Sequence, residues 1–400
     1  MRDRIILHCD ANSFYASCEV ATRPELLGKP VAVAGNVEKR TGIILTKNHI
    51  AKKYGVVTGE AIWQAKQKCP DLVCLLPNFK LYEEFSKKLR KIYEDYTDRV
   101  EPFGIDECWL DITTSAKFFG TGEEVANIIR ERVKKELGIT VSVGVSFCKI
   151  FAKLGSDYKK PDAVTVRSKE NFKDIVYPLP IDSIIGIGRR LTEKYHRINV
   201  FKLGEIIKIP DNIIKAKFGK LGLELKQKLL GNDNDEVSLC NYYRLEKSIG
   251  NGTTTIKDIK TKDETHSVIN ALCEEISQRL RHKNFCAKGI SVTIKTSDFK
   301  YLSKSCALSF ATNSAGDLFK GAINLLETFW TSSLPVRAIR ICSFNLENAS
   351  IHQLNMFENV YKKESLNKAI DKIRDKYGYF AIVPASMCKN RLLDSERIGL

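Results

Sequence analysis

Gly104-Ile105-Asp106-Glu107-Cys108-Trp109-Leu110-Asp111 sets two adjacent carboxylates at the head of a short apolar run. A run as short as Cys108-Trp109-Leu110 reads as a strand rather than a helix. Neighbouring strand residues point to opposite faces, so Asp106 and Glu107 cannot both enter one apolar layer. The pattern predicts them at a turn or strand end, where both lean toward one cation. Without a positive charge between them, each would raise the other's pKa. Hard divalent ions such as Mg2+ select carboxylate oxygens, which makes a metal the natural occupant.

A third acid sits near the N-terminus. Arg4-Ile5-Ile6-Leu7-His8-Cys9 is apolar and strand-like, and it delivers Asp10 at its end. Ala11-Asn12-Ser13-Phe14-Tyr15-Ala16-Ser17-Cys18-Glu19 follows, with an aromatic pair opening a helix. Strands ending in Asp are common and Asp-Glu pairs are frequent in solvated turns, so taken singly these acids also fit ordinary surface positions.

At 400 residues the chain is long for one core, and several domains are expected. A formal charge of +16 and a pI near 9.2 favour a polyanionic partner, either nucleic acid or an anionic membrane surface. No apolar run approaches the ~18–20 residues that span a bilayer, so no membrane span is expected. Charges directly precede a single strand-length apolar run at the N-terminus, which does not read as a secretory leader. The 12 cysteines are scattered without a Cys-x-x-Cys pair. That argues against a zinc module and for reduced thiols in a cytoplasm.

Period and spacing predict a multidomain chain of α/β and α+β character. An α/β unit should surround the acids, with strands at Ile5–Cys9, Cys108–Ile112 and Thr140–Ser146. Glu123–Leu137 reads as an amphipathic helix, because Val125, Ile128, Ile129 and Val133 recur at helical spacing. Tyr82–Tyr96 reads as a second helix with a basic face. Leu45–Gly55 reads as a helix closed by Gly55 in a left-handed cap. Residues 170–234 form a helical, basic block containing Ile184-Ile185-Gly186-Ile187-Gly188-Arg189-Arg190-Leu191-Thr192-Glu193-Lys194. Gly231-Asn232-Asp233-Asn234-Asp235-Glu236 is polar and turn-rich, the mark of a boundary and the start of a linker. Residues 247–347 then run strand, helix, strand, strand, helix, strand, with helices at Ser267–Leu280 and Ala315–Trp330 and clear strands at Lys288–Thr296 and Val336–Ile341. That order is the split βαβ, ferredoxin-like sandwich.

Asp10 with the Phe14-Tyr15 pair resembles the first motif of the Y-family (translesion) DNA polymerases, and Asp106-Glu107 resembles the second. With the matches below, the resemblance covers nearly the whole chain and points to the bacterial polymerase IV and UmuC-like branch. It implies a palm of residues 1–13 and 79–169, fingers of 14–78 and a helix-hairpin-helix thumb of 170–234. A linker of 235–246, a DNA-gripping little finger of 247–347 and a tail of 348–400 complete the expectation. In such an enzyme a primer 3′-hydroxyl attacks the α-phosphate of a deoxynucleoside triphosphate, with two Mg2+ ions activating the attacking oxygen and stabilising the leaving pyrophosphate. The resemblance assigns those ions to Asp10, Asp106 and Glu107, the first two bridging both and Glu107 holding the ion at the primer end.

Further positions follow from the same resemblance. Lys160, directly before Pro161, is similar to the family's phosphate-binding lysine; a solvated surface lysine is the alternative. On the fingers helix, His49 and Lys52 stand where many relatives carry Tyr and Arg against the triphosphate. Lys keeps the charge but lacks the planar fork, so a different phosphate geometry is expected. Tyr15 matches the steric gate, a ring beneath the sugar that excludes a 2′-hydroxyl. Phe14 beside it is a nucleotide contact or a core aromatic. Gly186-Ile187-Gly188 resembles a helix-hairpin-helix turn whose amides would bind a DNA phosphate, with Arg189, Arg190 and Lys194 adding charge. A plain loop-to-helix turn is the alternative. Lys247 adds a cation in Lys247-Ser248-Ile249-Gly250, which resembles the opening strand of the little finger.

In the tail, Gln353-Leu354-Asn355-Met356-Phe357 resembles the sliding-clamp-binding pentapeptide of bacterial polymerases, with apolar side chains set to fill a groove on the clamp. The alternative is that Leu354, Met356 and Phe357 fold back on their own domain. A short charged helix, Leu366–Tyr377, should follow. The expected activity is low-fidelity, template-directed DNA synthesis across damage, by a monomer working on primer-template DNA and deoxynucleoside triphosphates. No proofreading exonuclease is expected, because the first strand begins at residue 4. Two other classes stay open: a non-catalytic scaffold that keeps the DNA grip, and another two-metal phosphotransferase with a similar palm.

Overall fold

The run Ile6-Leu7-His8-Cys9 becomes the middle of the sheet that carries the acids. A computed structural model describes residues 4–38, 40–242, 245–331, 334–349, 360–378 and 381–385. By internal contacts the chain forms two units, one of residues 1–35 and 43–243 and one of 36–42 and 244–400.

The first unit holds strands β1 (Ile6–Ala11), β2 (Val31–Ala34), β3 (Ile44–Lys47), β4 (Val73–Leu75), β5 (Val100–Pro102), β6 (Glu107–Asp111), β7 (Val141–Ser146) and β8 (Val164–Arg167). One sheet runs β5-β6-β1-β7-β8, with β1 antiparallel to both β6 and β7 and β8 parallel to β7. Every residue of β1 and β7 is buried, as central strands covered on both faces require. Period-2 alternation sorts β1. Leu7, Cys9 and Ala11 join the core under the Phe79–Glu94 and Gly122–Leu137 helices. Ile6 clusters instead with Trp109 and Ala152, the latter from the Lys149–Tyr158 helix on the other face. His8 and Asp10 therefore share that second face with Ile6.

The Gly122–Leu137 helix begins where its sequence says it should. Thr121 and Glu124 form a capping box, and Gly138 closes the helix at φ 69°. On the opposite face, Gly144 of β7 lets the Lys149–Tyr158 helix come close. A Cβ at that position would lie 1.9 Å from the carbonyl oxygen of Ala152 and 2.5 Å from the amide nitrogen of Ser156.

Two expectations change in this unit. Leu45–Lys47 is not helical: it belongs to β3, paired with β2 in the small sheet β3-β2-β4. Ile43, Ile44 and Thr46 are β-branched and favour that strand, and the helix starts only at His49, where Asn48 caps it by accepting from the Ala51 amide. Gly55 does take the expected left-handed conformation, φ 81°. The expected linker is also partly docked. Val237 is fully buried, Arg99 Nη1 donates to its carbonyl at 3.0 Å, and the Cys240 amide donates to the Asp98 carbonyl.

Helices Phe172–Val176, Arg189–His196, Leu203–Ile206 and Asp211–Leu229 close on a core of Phe147, Phe151, Phe172 and Tyr195. The last of them breaks at Gly219, φ 68°, so it is two helices meeting at a turn.

The second unit holds β9 (Ser248–Ile259), β10 (Phe285–Thr296), β11 (Tyr301–Thr312) and β12 (Val336–Asn348), ordered β11-β10-β12-β9 with antiparallel neighbours. Each β-α-β passage is split by a strand of the other: β12 lies between β9 and β10, and β10 between β11 and β12. The Lys262–His282 and Ala315–Glu327 helices bury Ile290, Val292, Ile294, Ile339 and Ile341. The tail departs from expectation. Its helix spans Val360–Tyr377 and is anchored to the Lys262–His282 helix by Arg281 on both oxygens of Asp371, at 2.6 and 2.7 Å, and by Arg374 on Glu274 at 3.0 Å. Among the described residues, no helix is long and apolar enough to cross a membrane.

Candidate active site

Strand register brings the acids together. Asp10 of β1 pairs directly with Glu107 of β6, and the amide of Ala11 donates to the carbonyl of Asp106 at 3.0 Å. His8 pairs with Trp109 two positions further in, their rings edge to face at 5.1 Å. Asp10, His8, Glu107 and Trp109 thus share the face covered by the Lys149–Tyr158 helix. Asp106 stands just before β6, at the strand end that its sequence predicted.

That helix and the residues just after it supply the charge that balances them. Lys153 Nζ lies 3.0 Å from Asp10, 2.8 Å from Glu107 and 3.3 Å from Asp157. Lys160 Nζ lies 2.7 Å from the other oxygen of Asp10 and 2.9 Å from Asp157. Ser156 donates to the carbonyl of Lys153, so in its 2.8 Å contact with His8 the hydroxyl accepts from Nδ1. His8 Nε2 is then left facing Glu107 Oε2 at 3.3 Å.

The carboxylates differ because their surroundings differ. Burial, then the charges of Asp10 and Glu107, pushes Asp106 up to about 6. Burial raises Asp10 as well, opposed by Lys160 and Lys153. Burial would also raise Glu107, but His8 in its protonated form and Lys153 beside it win and bring it down to about 2.

The residues fit a divalent cation. One ligand atom each from His8, Asp10 and Glu107 lies within 4.8 Å of the others. Ion-pair contacts aside, His8 Nε2 and Glu107 Oε2 are buried without a hydrogen-bond partner. A carboxylate oxygen so buried beside Asp10 is what a hard cation would satisfy, whereas the His8 nitrogen is a softer donor that borders the space.

Comparison with known proteins agrees with this geometry. Residues 9–157 match the impB/mucB/samB family, and residues 246–356 match the C-terminal domain of that family. DNA polymerase IV of Acetivibrio thermocellus is 40% identical over 98% of this chain and 99% of its own. DNA polymerase IV 2 of Bacillus subtilis is 35% identical over 96% and 95%. A solved Y-family DNA polymerase chimera superposes with a TM-score of 0.76 at 27% identity, covering 86% of this chain and 99% of its own. The chain belongs to the Y family of DNA polymerases.

Other residues singled out by their Y-family resemblance are placed as follows. Tyr15 is half-buried and stacks on Tyr82 at 4.3 Å, with Phe79 edge-on at 6.1 Å. The Tyr82 hydroxyl is tied to Glu19 at 2.7 Å, which fixes the stack. Phe14 is 3% exposed within the core, so it serves packing and is not open to a nucleotide. His49 and Lys52 are exposed on the short helix after β3, one turn apart. Lys47 stands near Lys52 and was not foreseen; burial first and the Lys52 charge second lower its pKa. Gly186 takes φ 93° and Gly188 opens the Arg189–His196 helix, both with open space where a side chain would be. Arg189 and Arg190 are exposed there, whereas Lys194 is tied back to the carbonyl of Lys217. Lys247 is exposed just before β9. Gln353, Leu354, Met356 and Phe357 lie outside the described residues.

Lys153 and His8 are the site residues that the sequence reading missed. The available signal was alternation: in β1, His8 is a polar residue two positions before Asp10, hence on its face.

Proposed function

We infer that this chain is a template-directed DNA polymerase that copies damaged DNA, extending a primer 3′-hydroxyl with deoxynucleotides at low fidelity. The register of Asp10 against Glu107, with Asp106 at the adjoining strand end, carries that reading within a chain whose full-length relatives are named DNA polymerase IV. Asp10, Asp106 and Glu107 hold the catalytic divalent ions, and Mg2+ suits an all-carboxylate set with room for phosphate oxygens. Bound there, the ions would favour ionisation of the 3′-hydroxyl and neutralise charge on the leaving pyrophosphate. The chain's own residues do the rest. Rigid strands hold the carboxylates in register, Lys160 and Lys52 meet the triphosphate, and His49 lies beside them. The Tyr15 ring underlies the sugar.

Away from the reacting atoms, Gly186 and Gly188 open a phosphate-binding turn, and Arg189, Arg190, Lys194 and Lys247 add charge for sequence-independent DNA contact. The division into palm, fingers, thumb and little finger at the expected boundaries belongs to the same reading. So do a monomer in the cytoplasm and a sliding clamp held by Gln353, Leu354, Met356 and Phe357.

Primer extension with Mg2+ on an undamaged template and on one with an abasic site tests this. Distributive extension of the first, and insertion opposite the lesion, is expected. DNA binding without extension would favour the scaffold reading, and cleavage or cyclisation of the supplied substrates the other phosphotransferase.

A further inference from the structure

Lys153 holds an unusual position for a lysine in a site built to bind cations. Its ammonium has three N–H donors and three carboxylates around it, Asp10, Glu107 and Asp157, at 3.0, 2.8 and 3.3 Å. Its side chain is 12% exposed, and Asp10 and Glu107 are 5% and 20% exposed, whereas Asp157 is 48% exposed. Two of its partners are thus the inner acids and the third stands at the rim. Lys160 also pairs with Asp10, at 2.7 Å, so without Lys153 it is Glu107, at 2.8 Å from that ammonium and buried beside Asp10, that would lose its nearest cation. A divalent ion that ligates both would need the lone pairs Lys153 now occupies. The lysine stem is long and flexible, and Asp157, one turn along the same helix, gives the ammonium a partner nearer solvent.

We propose that Lys153 is a built-in counter-ion: it stands in for a divalent ion between Asp10 and Glu107 when none is bound, and withdraws onto Asp157 when one arrives. This rests on the reading of Asp10 and Glu107 as metal ligands. Lys153 acts here as a positioning residue. It keeps the acids assembled before metal and nucleotide come, and it sets a threshold against metal binding to the empty enzyme. The incoming ion must do more than fill a gap; it must displace a charge.

Mn2+ binding to the full chain, without DNA or nucleotide, reads this directly by the loss of the free-ion resonance signal. Lys153→Gln should bind Mn2+ at least about tenfold tighter than wild type, a difference of about 1.4 kcal/mol. Lys153→Arg, which keeps the charge, should not show that gain. The metal-free Tm of Lys153→Gln should lie below wild type and the gap should close on saturation with Mn2+. Equal or weaker Mn2+ affinity in Lys153→Gln overturns the proposal. If that variant does not fold, wild-type crystals soaked in MnCl2 decide. Anomalous density between Asp10 and Glu107 with Lys153 moved to Asp157 supports the exchange, and density with Lys153 still bridging the two acids contradicts it. Failure of the ligand reading looks different: Asp10→Asn and Glu107→Gln would then bind Mn2+ as wild type does.

Discussion

Asp106 lies among like charges, and its carboxyl titrates at about 6 because burial and the neighbouring acids disfavour its charge. Its unfolded pKa is about 3.9, so the fold binds this proton more tightly than the unfolded chain does. Ionisation therefore weakens the metal-free fold: the cost is absent well below pH 4 and fully present above about pH 6. Asp106→Asn should raise stability in chelator at pH 8 by roughly 1–3 kcal/mol, seen as a higher Tm, with no gain at pH 3. An equal Tm at pH 8 would show that the charge is already compensated. The Tyr15 ring stacks on Tyr82 and meets Phe79 edge-on, and Phe79 and Tyr82 touch each other as well, so three rings fix its position. Tyr15→Ala should raise ribonucleotide insertion relative to deoxynucleotide by orders of magnitude, measured in single-nucleotide insertion. An unchanged ratio would assign the gate elsewhere. The acids were legible in sequence because adjacent carboxylates beside a short strand restrict their own geometry. Lys153 was not. With Asp157 and Lys160 it makes a spacing that any solvated helix face shows, and its partner Asp10 lies 143 residues away.

Elements were legible where periodicity was strong. Ile290, Val292 and Ile294 alternate with Ser291, Thr293 and Lys295, and they form the buried face of β10 as expected. The stretch after β2 was misread because Leu45-Thr46-Lys47 and the helix from His49 are both short, and Asn48 marks the change with a side chain that reads equally as a loop residue. The Val360–Tyr377 helix was under-read for a related reason: its docking rests on Arg281 and Glu274, which the local sequence does not contain. Gly144 shows how one element sets another. It lets the Lys149–Tyr158 helix lie against β7, and that helix carries Lys153, Ser156 and Asp157. Gly144→Ala must move backbone rather than a flexible side-chain tip, at a cost of about 1–3 kcal/mol or more. A lower Tm is expected, along with weaker nucleotide insertion even where the variant stays folded. Wild-type Tm and insertion in that variant would mean the helix shifts without consequence.

At the scale of the whole molecule, the charge of +16 predicts DNA binding whose log affinity falls linearly with log salt. The proposed clamp docking would be a separate attachment. Residues 353–357 lie between Asn348, the end of β12, and Val360, the start of the anchored helix. Replacing Leu354 and Phe357 by Ala should leave distributive extension and Tm unaltered while abolishing stimulation by the clamp, because tethering changes local concentration and not chemistry. Loss of basal activity or of Tm would instead mean that these side chains pack on their own domain. The central claim is that Asp10, Asp106 and Glu107 perform metal-assisted nucleotidyl transfer. Its most direct test is pre-steady-state insertion of one deoxynucleotide by wild type, Asp106→Asn and Glu107→Ala, with primer-template affinity measured alongside. Insertion lost by orders of magnitude at nearly unchanged DNA affinity is the predicted result. Insertion within a few-fold of wild type in either variant would contradict it.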